Sequence, residues 1–107
     1  MRKTREQRKF ERVPFREEVV VVVEGENERL VGETRDISIG CVFVEHVSAA
    51  FGKRVTVHLT PSGAFESIRL LGVVRWVGRD GIGIQFGLLG ARETHLITQI
   101  VGAKGTA

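Results

Sequence analysis

The sequence predicts a mainly β protein: a small six-stranded antiparallel β-barrel with a flexible basic N-terminal arm and a C-terminal α-helix. Short β-branched runs alternate with polar residues, turn residues recur at regular spacing, and the last segment changes to helical spacing. We expect the arm over residues 1–16 and a single domain, the barrel with its helix, over residues 17–107.

The arm carries the whole charge excess of the chain. Residues 1–18 hold seven Lys/Arg and four Glu, whereas the remainder holds nine of each sign, and the net charge is +3. Pro14 prevents a helix from continuing, and few apolar positions would anchor one, so the arm is expected to be flexible until something binds. A basic arm on a neutral body suggests an anionic partner, and a solvated tail is the plainer alternative.

The first half of the barrel is predicted from β-branched runs and turns. Residues 19–23 are consecutive valines, the pattern of a buried strand, and a turn at 25–27 joins them to a second strand over 30–35. Residues 41–44 form the next predicted strand.

The second half begins with residues 55–60, which alternate in the manner of a half-buried strand. A turn over 61–63 leads to a long strand over 68–77, where Gly72 predicts a bulge or a bend. The last strand covers 82–86, and the surrounding glycines predict close backbone approach: Gly81, Gly83 and Gly87.

A closing helix is predicted after residue 90. Its apolar residues recur at helical spacing and should pack over one end of the barrel, with Gly102 as the C-terminal stop. These apolar residues are Leu96, Ile97, Ile100 and Val101.

Composition narrows the class of protein. With 42% hydrophobic and 27% charged residues, the 107-residue chain resembles an ordinary soluble domain. Its one cysteine, Cys41, cannot form an internal disulfide, and a cytoplasmic location is expected. Neither a membrane-inserting segment nor a signal peptide is apparent.

The three histidines lack metal-ligand spacing and no nucleophile–base pair stands out, so we expect neither an enzyme nor a cofactor.

Two short motifs carry the candidate chemistry. Arg8 and Arg12 stand four apart, and Asp36, Ser38 and Gly40 follow a predicted strand. Arginine can form paired hydrogen bonds to guanine or phosphate, and a carboxylate can accept from guanine N–H groups. Taken alone, the second motif is better explained as a turn in which the aspartate and serine cap the backbone and the glycine supplies a positive φ.

In order and together, these motifs resemble the PilZ family, whose members bind cyclic di-GMP. Arg8 and Arg12 match the two family arginines, and Lys9 falls where a further arginine is common. Asp36 and Ser38 match the acid and hydroxyl of the (D/N)-x-S-x-x-G signature. The segments 73–77 and 81–86 also resemble the family, so the likeness covers nearly the whole chain. It implies a cyclic di-GMP receptor whose arm closes over the ligand and signals to a protein partner.

One residue departs from the family pattern, and one adds a candidate contact. The last glycine of the signature falls on Cys41, beside Gly40. A cysteine there costs about 1 kcal/mol or more if the backbone must adopt a positive φ, and its side chain would crowd a ligand. Trp76, the only tryptophan, could stack on guanine or belong to the barrel wall. By alternation Arg75 and Trp76 face opposite ways unless a bulge intervenes.

Two other functions stay open. A PilZ-type adaptor that binds protein but not nucleotide is favoured by Cys41. A basic barrel that binds single-stranded nucleic acid is opposed by the neutral body and the scarcity of aromatic residues, so no nucleic acid partner is expected. We expect a monomer or a weak homodimer.

Overall fold

The structure is a computed structural model that describes residues 12–60 and 67–105. It contains seven strands and one helix within these residues: β1 (Val13–Pro14), β2 (Glu18–Val23), β3 (Arg29–Ile37), β4 (Cys41–Glu45), β5 (Arg54–Leu59), β6 (Ile68–Val77), β7 (Gly81–Phe86) and α1 (Ala91–Gly105). Arg8, Lys9 and the turn predicted at 61–63 lie outside the described residues. No described helix is long and apolar enough to cross a membrane.

Six strands close into an antiparallel barrel. The order around the ring is β3-β2-β5-β6-β7-β4, and pairing of β3 with β4 closes it. The short β1 lies outside the ring and pairs with β3, with Val13 opposite Ile37 and Pro14 opposite Asp36. The predicted fold class is therefore confirmed, and each of the six predicted strands is present with its ends moved by a few residues at most.

The core is built from the alternate, inward-facing residues of these strands. Most of them are β-branched, because such side chains pack well on a pleated surface. Those with at most 1% exposure include Val21, Val44, Val57, Val74, Ile82 and Ile84. α1 contributes Ile97, also 1% exposed, and packs against β1 and β6. The partly buried residues Leu96, Ile100 and Val101 pack against the same core, as the helical spacing predicted.

The helix does not stop at Gly102. It continues to Gly105, and Gly102 has no positive φ. Glycine terminates a helix when it adopts the left-handed conformation, and here it keeps the helical one. The residues that follow, Ala103 and Lys104, have high helix propensity, so the chain gains by continuing the helix.

Residues 13–15, near the end of the predicted arm, are held against the barrel. Val13 and Phe15 are buried, with 3% and 6% exposure. The N–H of Phe15 donates to the carbonyl of Arg35 at 3.1 Å. The buried hydroxyl of Thr34 accepts from the N–H of Glu17 at 2.8 Å and donates to the carbonyl of Phe15. The chain is thus attached to β3 immediately after Arg12, four residues earlier than the expected end of the arm at residue 16.

Two bulges change the outer surface. One interrupts the pairing of β3 with β4 between Thr34 and Asp36, and the other interrupts the pairing of β6 with β7 between Val74 and Trp76. The extra residue of this bulge is Arg75, three residues after Gly72, where a bulge or a bend was predicted. Gly72 stays in register opposite Phe86, and it is needed because a Cβ there would meet the backbone of Gln85.

Candidate functional site

Arg12 and Asp36 join the two sequence motifs. Because Pro14 pairs with Asp36, Arg12 emerges beside that carboxylate. Its Nε and Nη2 donate to Asp36 Oδ1 at 3.2 and 2.9 Å. Both side chains keep access to solvent, with 35% and 27% exposure. A cation and a carboxylate that lie 24 residues apart in the sequence therefore form one polar surface.

Cys41 is the third member of this group. It begins β4, is 9% exposed, and accepts a hydrogen bond at its Sγ from Arg12 Nη1 at 3.0 Å. It has no positive φ, so the backbone cost considered for a cysteine at this position does not arise. Its thiol instead fills the space beneath the guanidinium and helps to orient it.

Ser38 faces inward and supports the turn between β3 and β4. It is 2% exposed, and its Oγ accepts from the N–H groups of Gly40 and Cys41, both at 3.1 Å. Its own N–H donates to the carbonyl of Cys41 at 2.8 Å. The turn closes through these bonds without a left-handed residue, so the prediction of a positive φ at Gly40 was wrong.

Replacing Ser38 by alanine should destabilise the fold. Two backbone donors lose their acceptor in a poorly hydrated turn, which costs roughly 1–2 kcal/mol. Urea unfolding of the variant would measure this, with the exposed Ser48→Ala as the control. If both variants unfold like the wild type, the hydroxyl does not support the turn.

A row of aligned residues extends from Asp36 across three further strands. In register, Asp36 lies opposite Phe43 of β4, Phe43 opposite Gly83 of β7, and Gly83 opposite Trp76 of β6. Trp76 is 52% exposed, and a Cβ on Gly83 would collide with its ring. The glycine therefore leaves room for the Trp76 side chain on the outer surface, whereas the prediction at Gly83 was a close approach of backbone.

Arg75 and Trp76 both lie on the outer face. The β6 bulge between Val74 and Trp76 supplies the break in alternation that this requires. Arg75 Nε donates to Gln85 Oε1 at 2.9 Å, and Gln85 lies opposite Cys41 in register. The predicted close approach of backbone is confirmed at Gly81, where an added Cβ would collide with the carbonyl of Val44. The same prediction was wrong at Gly87, because a Cβ there would make only an ordinary contact of 3.8 Å.

Sequence reasoning missed two residues of this surface. The Arg35 guanidinium lies 4.0 Å from the centroid of the Phe43 ring, a cation–π contact beside Asp36. Alternation places Arg35 and Asp36 on opposite faces, and the β3 bulge turns both toward solvent. Phe43 was assigned only to a strand, although its place between two inward valines, Val42 and Val44, marks it as outward-facing.

A separate charged cluster stands next to this row. Glu45 accepts from Arg16 at 2.8 Å and from Arg35 at 3.3 Å, and Glu33 lies 3.5 Å from Arg16. The hydrogen bond from Arg16 lowers the pKa of Glu45, and it raises the pKa of Arg16. Glu33, Glu45 and His46 stand close enough to share a metal ion, but the two arginines already neutralise the carboxylates.

Glu45 should add a pH dependence to stability. Its folded-state pKa is lowered, so its contribution is present above the unfolded value of about 4.3 and is lost as pH falls through the folded value. Thermal unfolding of Glu45→Gln should therefore show a weaker loss of stability below about pH 5 than the wild type. The exposed Glu28→Gln is the control, and identical pH profiles for all three proteins would contradict the assignment.

A closed six-stranded antiparallel barrel with one strand outside the ring and a C-terminal helix defines the fold of the chain. The chain belongs to the PilZ domain family, whose match covers residues 6–103. Domains of this family generally act as receptors or adaptors for cyclic di-GMP.

Solved structures share the fold. The chain is similar to the PilZ domain of CeSA from a cellulose-synthesizing bacterium, with a TM-score of 0.70, 17% identity, and coverage of 87% of this chain and 96% of that one. It is also similar to the inhibitor of motility MotI/DgrA of Bacillus subtilis, with a TM-score of 0.69, 18% identity, and coverage of 92% and 51%. The chain thus spans about half of the latter protein. No curated protein sequence matches it.

Proposed function

We propose that this protein is a cytoplasmic, non-catalytic receptor for cyclic di-GMP that passes the signal on through protein contacts. The nucleotide lies on the outer wall of β3, β4 and β7. The observation that carries the proposal is the contact of Arg12 with Asp36 and Cys41, because it joins both motifs of the family signature at one surface.

The chemistry of this surface matches a guanine dinucleotide. Arg12 can donate two parallel hydrogen bonds to guanine O6 and N7 or to phosphate. Asp36 can accept from the guanine N–H groups that face away from those atoms. Trp76 offers an aromatic plane at the far end of the row, and base–aromatic stacking is worth about 1–3 kcal/mol. Arg35 and Arg75 add positive charge toward the phosphates.

The remaining signature residues have supporting or closing roles in this proposal. Ser38 and Gly40 hold the turn that presents Asp36, and their effect on the ligand is through that turn. Arg8 and Lys9 act from the arm, in the roles that the family pattern gives them. Binding orders the arm over the nucleotide and changes the surface that a partner meets, which requires tighter binding of the ligand to the closed arrangement.

The test is calorimetry with cyclic di-GMP, with GTP and linear pGpG as controls. We expect saturable binding in the micromolar range, roughly −8 kcal/mol, and at least tenfold weaker binding of both controls. Absence of heat at high micromolar cyclic di-GMP would contradict the proposal.

A second function, an adaptor that binds protein but not nucleotide, is favoured by one observation. Arg12 already has both a carboxylate and a thiol as partners, and Cys41 occupies the place of a family glycine. A ligand must therefore compete with contacts that the protein makes on its own.

Replacing Cys41 by glycine distinguishes the two functions. If the thiol restrains Arg12 and crowds the ligand, Cys41→Gly should bind cyclic di-GMP as tightly as the wild type or several-fold more tightly, and binding that appears only in the variant would identify the natural chain as an adaptor. Cys41→Ser, which keeps the size and a polar atom, is the matched control. A sharp loss of affinity in Cys41→Gly alone would show that the thiol contributes directly.

A further inference from the structure

The outer wall around β5 forms a second surface, centred on the strand that lies opposite β4 in the ring. In the six-strand ring, β5 is three strands from β4 in either direction. The outward residues of β3, β2, β5 and β6 form two aligned rows, which we call the β5 face: Val31, Val20, His58 and Arg69 in one row, and Arg29, Val22, Thr56 and Leu71 in the other.

The β5 face exposes several large apolar side chains to solvent. Val31 and Leu71 are 55% and 56% exposed, and Leu88, which follows β7, is fully exposed. Two open depressions meet here, and Thr56, Leu71 and Leu88 line both. Together they run from the β2–β3 hairpin to the start of α1. Adjacent exposed apolar side chains in such a groove are typical of an interaction site.

Arginines surround this apolar strip. Arg29 and Arg69 stand at the ends of the two rows, and Arg54 follows in register beside Val73. None of the three forms an ion pair with another residue in the described part of the chain. The two rows contain no carboxylate. Among the described residues, carboxylates stand at the margins of the face: Glu24 and Glu26 end the hairpin, Glu93 lies in α1, and Glu18 and Glu33 form the next outward row.

His58 lies at the centre of the face and stays uncharged near neutral pH. Burial lowers its pKa first, and the charges of Arg29 and Arg69 lower it further. The centre of the β5 face therefore carries no charge near neutral pH, and its positive charges are those of Arg29, Arg54 and Arg69.

We propose that the β5 face docks an acidic, amphipathic segment of a partner protein, with apolar side chains on Leu71, Leu88 and Val31 and carboxylates on Arg29, Arg54 and Arg69. This inference rests on the adaptor role proposed above, but not on nucleotide binding. The charge and the exposed aliphatic groups favour this occupant. A second copy of the chain would bring arginines against arginines, and the rows hold no aromatic side chain on which nucleic acid bases could stack.

The test is a nuclear magnetic resonance titration of the full chain with two synthetic peptides of alternating sequence, one of leucine and glutamate and one of leucine and lysine. The acidic peptide should shift the amide signals of β2, β5 and β6 and leave those of β4 unchanged. Leu71→Ser and the double variant Arg54→Gln/Arg69→Gln should each weaken binding of the acidic peptide about tenfold. The turn variant Arg79→Gln should leave this affinity unchanged. Circular dichroism verifies that each variant folds.

Other results would overturn the inference. Equal binding of the two peptides, no shifts at millimolar acidic peptide, or shifts centred on β4 would each do so. Tighter binding of oligothymidylate to the same residues would make the face a nucleic acid site. A wild-type dimer that Leu71→Ser converts to a monomer, with no change in peptide binding, would make it a contact between two copies of the chain. Calorimetry with cyclic di-GMP separates the two proposals, because Leu71→Ser should keep its nucleotide affinity and Arg12→Ala should keep peptide binding. Loss of the peptide result alone removes the docking face and leaves the nucleotide site.

Discussion

Arg12→Ala is expected to weaken cyclic di-GMP binding by about tenfold to a hundredfold, since a hydrogen bond to a charged group is worth roughly 1.5–3 kcal/mol. The ligand must exchange its own hydrogen bonds for those that Arg12 makes to Asp36 and Cys41, so the measured loss is the difference between the two sets of contacts. Stability should change by less than about 1 kcal/mol, because the ion pair with Asp36 is solvent-accessible. Calorimetry and thermal unfolding of the same preparation measure both effects.

The control for Arg12 is Arg79→Ala, which removes an exposed arginine from the turn before β7. Arg8→Ala should also weaken binding, which tests the arm beyond the described residues. Asp36→Asn supplies the partner variant: if Arg12 and Asp36 act on the ligand together, the losses in the double variant should be less than additive. Unchanged affinity in both Arg8→Ala and Arg12→Ala would remove the arm from the site.

Alternation made the barrel predictable, and local departures from alternation limited the prediction of the site. The run at β5 carries a period of two in the sequence that survives in the structure, because one face of the strand fills the core. β2 alternates in burial although its sequence is a run of valines. A bulge adds one residue to one strand and leaves no periodic sign in the sequence. The outward positions of Arg35, Arg75 and Trp76 could therefore be assigned only from the pairing register of the strands in the structure.

The junction of arm and barrel shows a second limit. The strand β1 is two residues long, too short for a periodic signal, although Val13 and Phe15 alternate around Pro14. The basic charge of residues 1–16 led to the prediction of a flexible arm. Burial of the Val13 and Phe15 side chains instead holds the end of this segment against β3. Ser38 shows a third limit, because a serine that caps a turn and a serine that faces a ligand occupy the same place in the motif. Only the hydrogen bonds to Gly40 and Cys41 distinguish them.

Gly81→Ala should destabilise the protein more than any other substitution considered. Gly81 lies opposite Glu45 where β7 pairs with β4, and a Cβ there would collide with the carbonyl of Val44 and the Cα of Glu45. Backbone cannot rotate away as a side chain can, so either the pair of strands separates or its register shifts. We expect a loss of roughly 3 kcal/mol or more, at the upper end of overpacking effects. For a domain of this size that lowers Tm by about 12–20 °C.

Two neighbouring glycines make this a graded experiment. At Gly83 the atoms nearest an added Cβ belong to the side chain of Trp76, which is half exposed and can move, so Gly83→Ala should cost less and should change the tryptophan fluorescence. At Gly78 the nearest atom lies at 3.7 Å, an ordinary contact, so Gly78→Ala should be nearly neutral. Thermal unfolding should rank the losses in the order Gly81, Gly83, Gly78. Equal stability of the Gly81 and Gly78 variants would mean that β4 and β7 do not pair in the register that aligns Asp36, Phe43, Gly83 and Trp76, and the proposed nucleotide surface would lose its geometry.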